Sequence, residues 1–209
     1  SILVSMAVIT ACSSCSGSEE KPNNKSNTTT EVKVNVPDFN ADSAYNYIEQ
    51  QVAFGPRVPN SPAQKACGDW LVTKMKSYGL TVTTQEFSAN RYDGKALQGT
   101  NIFASFNPSA AKRILLAAHW DSRSIADKDS VRKDQPIDAA NDGASGVGVM
   151  IEIARVLAET KNKPNVGVDF VFFDLEDHGE PHDMEAGNPL SWALGSQYWA
   201  AHLMPENYR

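Results

Sequence analysis

Three short segments of this 209-residue chain carry groups that could do chemistry. His119-Trp120-Asp121-Ser122 offers an imidazole with a carboxylate two residues on. Asp142 stands in Ala140-Asn141-Asp142-Gly143-Ala144-Ser145-Gly146, and Asp174-Leu175-Glu176-Asp177-His178 adds three carboxylates and a second imidazole. Carboxylates gathered in one place repel one another unless they share a proton or a cation. Oxygen donors combined with neutral imidazole form a ligand set that suits zinc. Each segment also has a plainer reading when taken alone: Asp142 as a helix cap, Glu176-Asp177 as a polar loop start, His119 as a satisfied core histidine. What decides between them is whether the fold delivers all three segments to one place.

The elements that must do the positioning are legible from periodicity. Ala44, Tyr47, Ile48 and Val52 recur at helical spacing across Asp42–Phe54, closed by Gly55-Pro56. Ser61-Pro62 is an N-cap followed by proline at the first helical position, and Ala66, Cys67, Trp70, Leu71, Met75 and Tyr78 form one face up to Gly79. Leu80–Phe87 alternates as a half-buried strand, and Thr100–Phe106 reads as another after the turn-rich Asn90–Gly99. Ile114–Ala118 and Val166–Phe173 are apolar runs expected to be buried on both faces of a parallel or mixed sheet. Val147, Met150, Ile151, Ala154 and Leu157 make the helix between them, giving a strand, helix, strand crossover of the right-handed kind. A last helix is expected over Ser191–Leu203. In open α/β sheets ligands bind outside the carboxyl ends of the strands, where the His119 and Glu176 segments fall. Trp120, Trp192 and Trp199 are either packing residues or pocket walls, and the Gly, Asn and Pro content of His182–Leu190 allows Trp192 a place on a pocket rim.

Composition narrows the classes. Nineteen basic against twenty-five acidic residues leave 19 − 25 = −6, no surplus for nucleic acid, while 41% hydrophobic and 21% charged residues suffice for a real core. Ser1–Ala11 is apolar but too short for the roughly 20 residues that span a bilayer, and reads as the h-region of a signal peptide. It ends in Ile9-Thr10-Ala11-Cys12, which resembles a bacterial lipobox and makes Cys12 the expected lipidation site. The alternative is a Cys12-Ser-Ser-Cys15 redox or metal pair, although no strand and helix surround it as a redox motif requires. Residues 13–36 are Ser, Asn, Thr, Glu and Lys with almost nothing apolar, a disordered tether, so the folded domain is expected over 37–209. The expectation is a membrane-anchored lipoprotein, periplasmic or at the cell surface, with the lipid bilayer as a partner. Cys67, alone in the folded part, is expected to act as a small hydrophobe.

Leu115–Arg123 (LLAAHWDSR), Ala139–Val147 (AANDGASGV) and Phe172–Gly179 (FFDLEDHG) resemble the three successive metal-site motifs of the M28 zinc peptidase superfamily. Phe54–Pro62 and Leu194–Trp199 resemble its glutaminyl-peptide cyclotransferase branch, especially the bacterial lipoprotein members. The resemblance implies an α/β zinc exopeptidase-like fold with a central mixed β-sheet flanked by helices. It implies zinc held by Asp142 and Asp177, Glu176 as general acid/base, and peptide or protein N-termini as substrates, with glutamine cyclised to pyroglutamate and ammonia released. One zinc ion is expected. In the alternative, a two-zinc aminopeptidase, His119 binds a second metal oriented by Asp121, and Asp142 bridges the pair. A second alternative is a noncatalytic surface lipoprotein used as a binding module. Many relatives carry glutamate at the position of Asp177, and the aspartate here favours the bacterial cyclotransferases. The family's third zinc-ligating histidine and a further active-site aspartate come from later motifs, so the C-terminal part of the fold is expected beyond Arg209. His182 and His202 do not match the missing histidine's position, and the 209 residues by themselves are expected to bind zinc weakly.

Overall fold

A computed structural model describes residues 36–181 and 187–204. The expected lipidation site Cys12 and nearly all of the expected tether, together with His182, lie outside them. The first helix, α1, runs Ala41–Ala53 and is capped by the Asn40 side chain, which accepts a hydrogen bond from the Ser43 amide at 2.9 Å. The second, α2, runs Pro62–Ser77, with Ser61 as N-cap and Pro62 at N1 as the sequence implies. Strands β1 (Thr81–Asn90) and β2 (Ala96–Phe106) form an antiparallel hairpin. Half of the turn-rich segment Asn90–Gly99 is thus strand. Its turn is confined to a few residues, with Gly94 at φ +83 and the Asp93 carboxylate accepting from both the Arg91 guanidinium and the Lys95 amide.

Next come β3 (Arg113–His119), α3 (Ala144–Glu159), β4 (Gly167–Phe173) and α4 (Leu194–Ala201). The four strands of the described residues lie in the order β1-β2-β4-β3, antiparallel except for the parallel β3·β4 pair that α3 connects. The sheet is mixed and flanked by helices, as expected. Side chains alternate across it. Val82, Ile102, Ala104, Phe170 and Phe172 share the face that packs with α1, α2 and α3 into the main core around Leu71, Met75, Val147 and Ile151. Phe87 and Leu97 fall on the opposite face and join Leu175, Leu194 and Tyr198 in a smaller cluster, with the Phe87 and Tyr198 rings stacked at 4.8 Å. Strand β1 therefore contributes to both faces: Val82 to one, with Leu80 just ahead of the strand, and Gln85 and Phe87 to the other.

Two expectations about the elements need correction. Among the described residues the run Ile114–Ala118 is not buried on both faces: β3 has one strand neighbour there, β4, and Ile114 and Leu115 are 51% and 39% exposed. The run on β4 is buried on both, because β2 and β3 flank it. The final helix does not begin at Ser191. Ser191 ends a single 3-10 turn, and Ala193, at φ +55, donates its N–H to the Glu176 carbonyl before α4 starts at Leu194. The chain is tied to the acidic loop first and becomes helical only afterwards.

At the end of the sheet opposite the acidic loops, Arg113 binds both oxygens of buried Asp169 at 2.6 Å, and Gly167 leaves the room its guanidinium occupies. A charge inside a buried strand is tolerated here because it is paired and hydrogen-bonded.

Candidate active site

Because β3 and β4 run parallel, their carboxyl ends emerge on the same edge, and the amide of Trp120 extends the ladder by donating to the Phe173 carbonyl. His119-Trp120-Asp121 and Asp174-Leu175-Glu176-Asp177 are therefore neighbours in space. The third segment arrives at the start of α3. Gly143, not Asp142, is the N-cap residue, and no side chain caps the helix, so the reading of Asp142 as a cap is wrong. Its carboxylate instead meets His119 Nε2 at 2.7 Å. Gly143 makes this approach feasible, since a Cβ there would come within 2.3 Å of the His119 carbonyl and 2.6 Å of its ring.

Asp121, fully buried, organises the centre. One of its oxygens accepts the Glu176 amide and the other the Asp177 amide, each at 3.1 Å, while His119 Nδ1 lies 3.4 Å from the first. A single carboxylate thus fixes two consecutive backbone N–H groups whose side chains point into the site. Leu175, at φ +56 and fully buried in the smaller core cluster, makes the turn that lets Glu176 and Asp177 follow β4 in this way. Asp174, also buried, accepts from Gln64 Nε2, the Thr100 amide and the Leu175 amide. Gly195 allows α4 to press on this turn, because a Cβ there would stand 2.1 Å from the Asp174 carbonyl.

His119, Asp142, Glu176, Asp177 and Trp192 line one cavity of about 630 Å³, together with Arg123, Ile137 and the loop 125–129. All the site residues inferred from the three motifs are brought together, Asp121 lying directly behind them. Of the three tryptophans considered as pocket walls, Trp120 is core and donates its Nε1–H to the Thr100 carbonyl. Trp199 packs edge-on against Phe173, and only Trp192 borders the cavity. His202 ends α4, stacked on Tyr198, and takes no part. Cys67 is buried and its thiol is pushed up to about 12 by burial, consistent with a packing role.

The electrostatics are those of crowded carboxylates. Burial and then the charge of Asp121 push Asp177 up to about 7, with Asp142 and Glu176 adding to the shift. Glu176 is raised by burial against the opposing pull of His119. Burial works against a charged His119, but Asp121, Asp142 and Glu176 outweigh it and hold the imidazolium up to about 9. A cation held among these groups would relieve the repulsion, and the oxygen and imidazole donors have the right chemistry for one. The set is nevertheless incomplete: among the described residues no three His, Cys, Asp or Glu side chains come together in an arrangement that could ligate a metal.

Three further residues hold the site and were not assigned from the sequence. Arg57, fully buried, donates to the carbonyls of Trp120, Asp138 and Ala139, and so fixes the approach to Asp142. His178 places Nε2 3.0 Å from the Ser122 carbonyl and 3.6 Å from Asp121. Arg123 joins the two loops. All three stand in motifs read above, next to residues of more obvious chemistry. The signal available was their membership of those motifs.

Residues 101–209 match the sequence pattern of peptidase family M28. The chain belongs to peptidase family M28. Among solved M28-like structures, that of Bacteroides thetaiotaomicron glutaminyl cyclase is 46% identical at a TM-score of 0.80, covering 84% of this chain and 60% of that one. A Zn-dependent exopeptidase from Parabacteroides distasonis is 49% identical at a TM-score of 0.79, over 83% of this chain and 60% of its own. In sequence, glutaminyl-peptide cyclotransferase from Bos taurus is 29% identical over 86 residues, 37% of this chain and 23% of that protein. The chain thus spans about 60% of these solved relatives' length. The fold read from the motifs, a mixed sheet flanked by helices as in zinc exopeptidases and glutaminyl cyclases, is the one observed.

Proposed function

We propose that this M28 protein is a zinc-dependent glutaminyl-peptide cyclotransferase acting on peptides and proteins with N-terminal glutamine. The observation that carries this is the pairing of Glu176 with Asp177. Buried Asp121 anchors both backbone amides, and both side chains face the cavity shared with Asp142 and Trp192, in a chain 46% identical to a bacterial glutaminyl cyclase. Asp142 and Asp177 would hold the zinc ion, which when bound would supply a Lewis acid for the side-chain amide carbonyl. Glu176 takes a proton from the attacking α-amine and delivers it to the departing amide nitrogen. A C–N bond forms from the α-nitrogen to the side-chain carbonyl carbon, the original amide C–N bond breaks, and ammonia leaves with the proton that Glu176 carried. The ring of Trp192 and the side chain of Ile137 give the cavity an apolar wall against which the glutamine methylenes pack.

The test is ammonia release from Gln-initiated peptides, set against release of amino acids from chromogenic aminoacyl substrates, on zinc-loaded full-length protein. Glu176→Gln should lower the rate by about 10²- to 10⁴-fold without removing the zinc. Ammonia from no Gln peptide would overturn the proposal. One contact favours a second reading, a two-zinc aminopeptidase: His119 Nε2 faces Asp142 at 2.7 Å, the pair that would ligate and bridge a second ion. One zinc per chain with ammonia release supports cyclisation; two, with release of amino acids, supports the aminopeptidase. Activity of neither kind would leave the binding-module reading.

We also propose that Cys12 is lipidated and holds the protein at a membrane, in the periplasm or at the cell surface. Labelled palmitate incorporated by the full-length protein and lost on Cys12→Ala supports this; no incorporation refutes it.

A further inference from the structure

Arg123, at the cavity, is hydrogen-bonded well beyond its own loop. Its side chain is 8% exposed, and it directs N–H groups toward three elements. Nε and Nη2 donate to the two oxygens of Asp127 at 2.9 and 2.8 Å, a bidentate pair with the loop that forms one cavity wall. Nη1 donates to the carbonyls of Asp177 and Gly179 at 3.1 and 3.4 Å, and Nη2 also to the carbonyl of Glu180 at 3.3 Å. The five guanidinium N–H groups therefore have five acceptors. The face of the guanidinium lies 4.7 Å from the centre of the Trp192 ring. Trp192 also rests on Gly179, where a Cβ would come within 2.0 Å of the indole.

We propose that Arg123 is a positioning residue that clamps the cavity wall, Asp127 and Trp192, to the loop carrying Glu176 and Asp177, and thereby sets the shape into which a peptide N-terminus fits. The kinetic part of this rests on the cyclotransferase reading, whereas the clamp itself does not. A lysine in its place keeps the charge but has three donors on a flexible stem and no plane to lay on indole, so it cannot span the same acceptors.

The experiment compares Arg123→Lys, Asp127→Asn and Trp192→Ala, singly and as the double variants with Arg123→Lys, in zinc-loaded full-length protein. Acrylamide quenching assigned to Trp192, by difference against Trp192→Phe, should rise in Arg123→Lys. KM for a Gln peptide should rise about tenfold with kcat within about threefold, the pattern of a displaced binding wall rather than a lost reacting group. Adding Arg123→Lys to Trp192→Ala should raise KM little further, because both break one contact. Unchanged quenching and KM, or effects of the single variants that simply multiply, would overturn the clamp. A purely structural role would lower the melting temperature and the active fraction while leaving KM in place. If Arg123→Lys does not fold, Asp127→Asn decides on the same two measurements. If the wild-type protein releases no ammonia, the cyclotransferase reading fails, and the quenching comparison still decides the clamp.

Discussion

Glu152 sits in the middle of α3, ten residues beyond Asp142, and is fully buried. Its oxygens receive the Asn40 amide at 2.8 Å and a bidentate Arg155 at 2.6 and 2.8 Å, so it ties the N-terminus of α1 to the helix whose first turn positions Asp142. Glu152→Gln keeps the shape, removes the charge, and turns an NH₂ group toward at least one N–H donor. Breaking a buried ion pair costs about 3–5 kcal/mol. Arg155 is partly exposed and keeps Glu159 as a partner, so the lower figure applies, about 2–3 kcal/mol. At about 2–4 °C per kcal/mol for a domain of this size, the melting temperature should fall by about 5–10 °C at pH 7. The hydrogen bonds from Arg155 and then Asn40 hold the Glu152 carboxyl below the usual glutamate range. A carboxyl whose folded value is depressed stabilises the fold above its unfolded value, about pH 4.3, and loses that contribution as the pH falls through the folded value. The difference between wild type and Glu152→Gln should therefore be full at pH 7 and shrink below about pH 4, because protonated glutamic acid resembles glutamine. Urea denaturation of both proteins at pH 7, 5 and 3.5 measures it. A loss under about 1 kcal/mol at pH 7, or one of equal size at all three values, would refute the reasoning. Activity per folded molecule should be unchanged, since Glu152 acts on the scaffold.

Other perturbations follow from the same contacts. Cys67 should resist alkylation by iodoacetamide in the native protein at pH 8 and react at once in denaturant, given a buried thiol pushed up to about 12; stoichiometric native labelling located at Cys67 by peptide mapping would contradict it. Arg57→Ala leaves three carbonyls without their donor and should cost about 3–5 kcal/mol in urea denaturation, with faster proteolysis near Asp138 and Ala139; a loss below about 1 kcal/mol would show that the segment holds itself. Gly195→Ala drives a methyl into the Asp174 carbonyl and should destabilise by about 1–3 kcal/mol, whereas Gly79→Ala, with open space but φ +77, should cost only about 1 kcal/mol; equal effects would remove packing as the cause.

Much of this was legible in the sequence, and the division between legible and hidden is physical. Helices α1 and α2 announce themselves because their caps are local: Asn40 and Ser61 bond amides only three residues away. Strand β4 is readable because burial on both faces demands an unbroken apolar run. Strand β3 carries a similar run yet pairs with a single strand among the described residues, since edge or centre depends on which strand pairs beside it, a property of partners rather than of the run. The start of α4 was hidden for a related reason: Ala193 and Leu194 bond backward to Glu176 and Leu175, nearly twenty residues away.

The site shows the same division at finer scale. Groups that could react stand out by type, so His119, Asp142, Glu176 and Asp177 were found from three short segments. The groups that hold them work through backbone amides and carbonyls, which every residue carries, and no pattern of side chains marks which ones are used. Asp121 binds two amides; Arg57 and Arg123 together engage six carbonyls from three distant stretches. A carboxylate cluster raised by burial and mutual repulsion would spread or protonate on a soft frame. Here the two arginines, each fastened to several carbonyls, keep the loops from yielding, and the carboxylates stay gathered about one cavity. The cost of that repulsion is carried by residues without reacting groups, and substitutions at Arg57, Asp121 and Arg123 should therefore loosen the site without removing a reacting group.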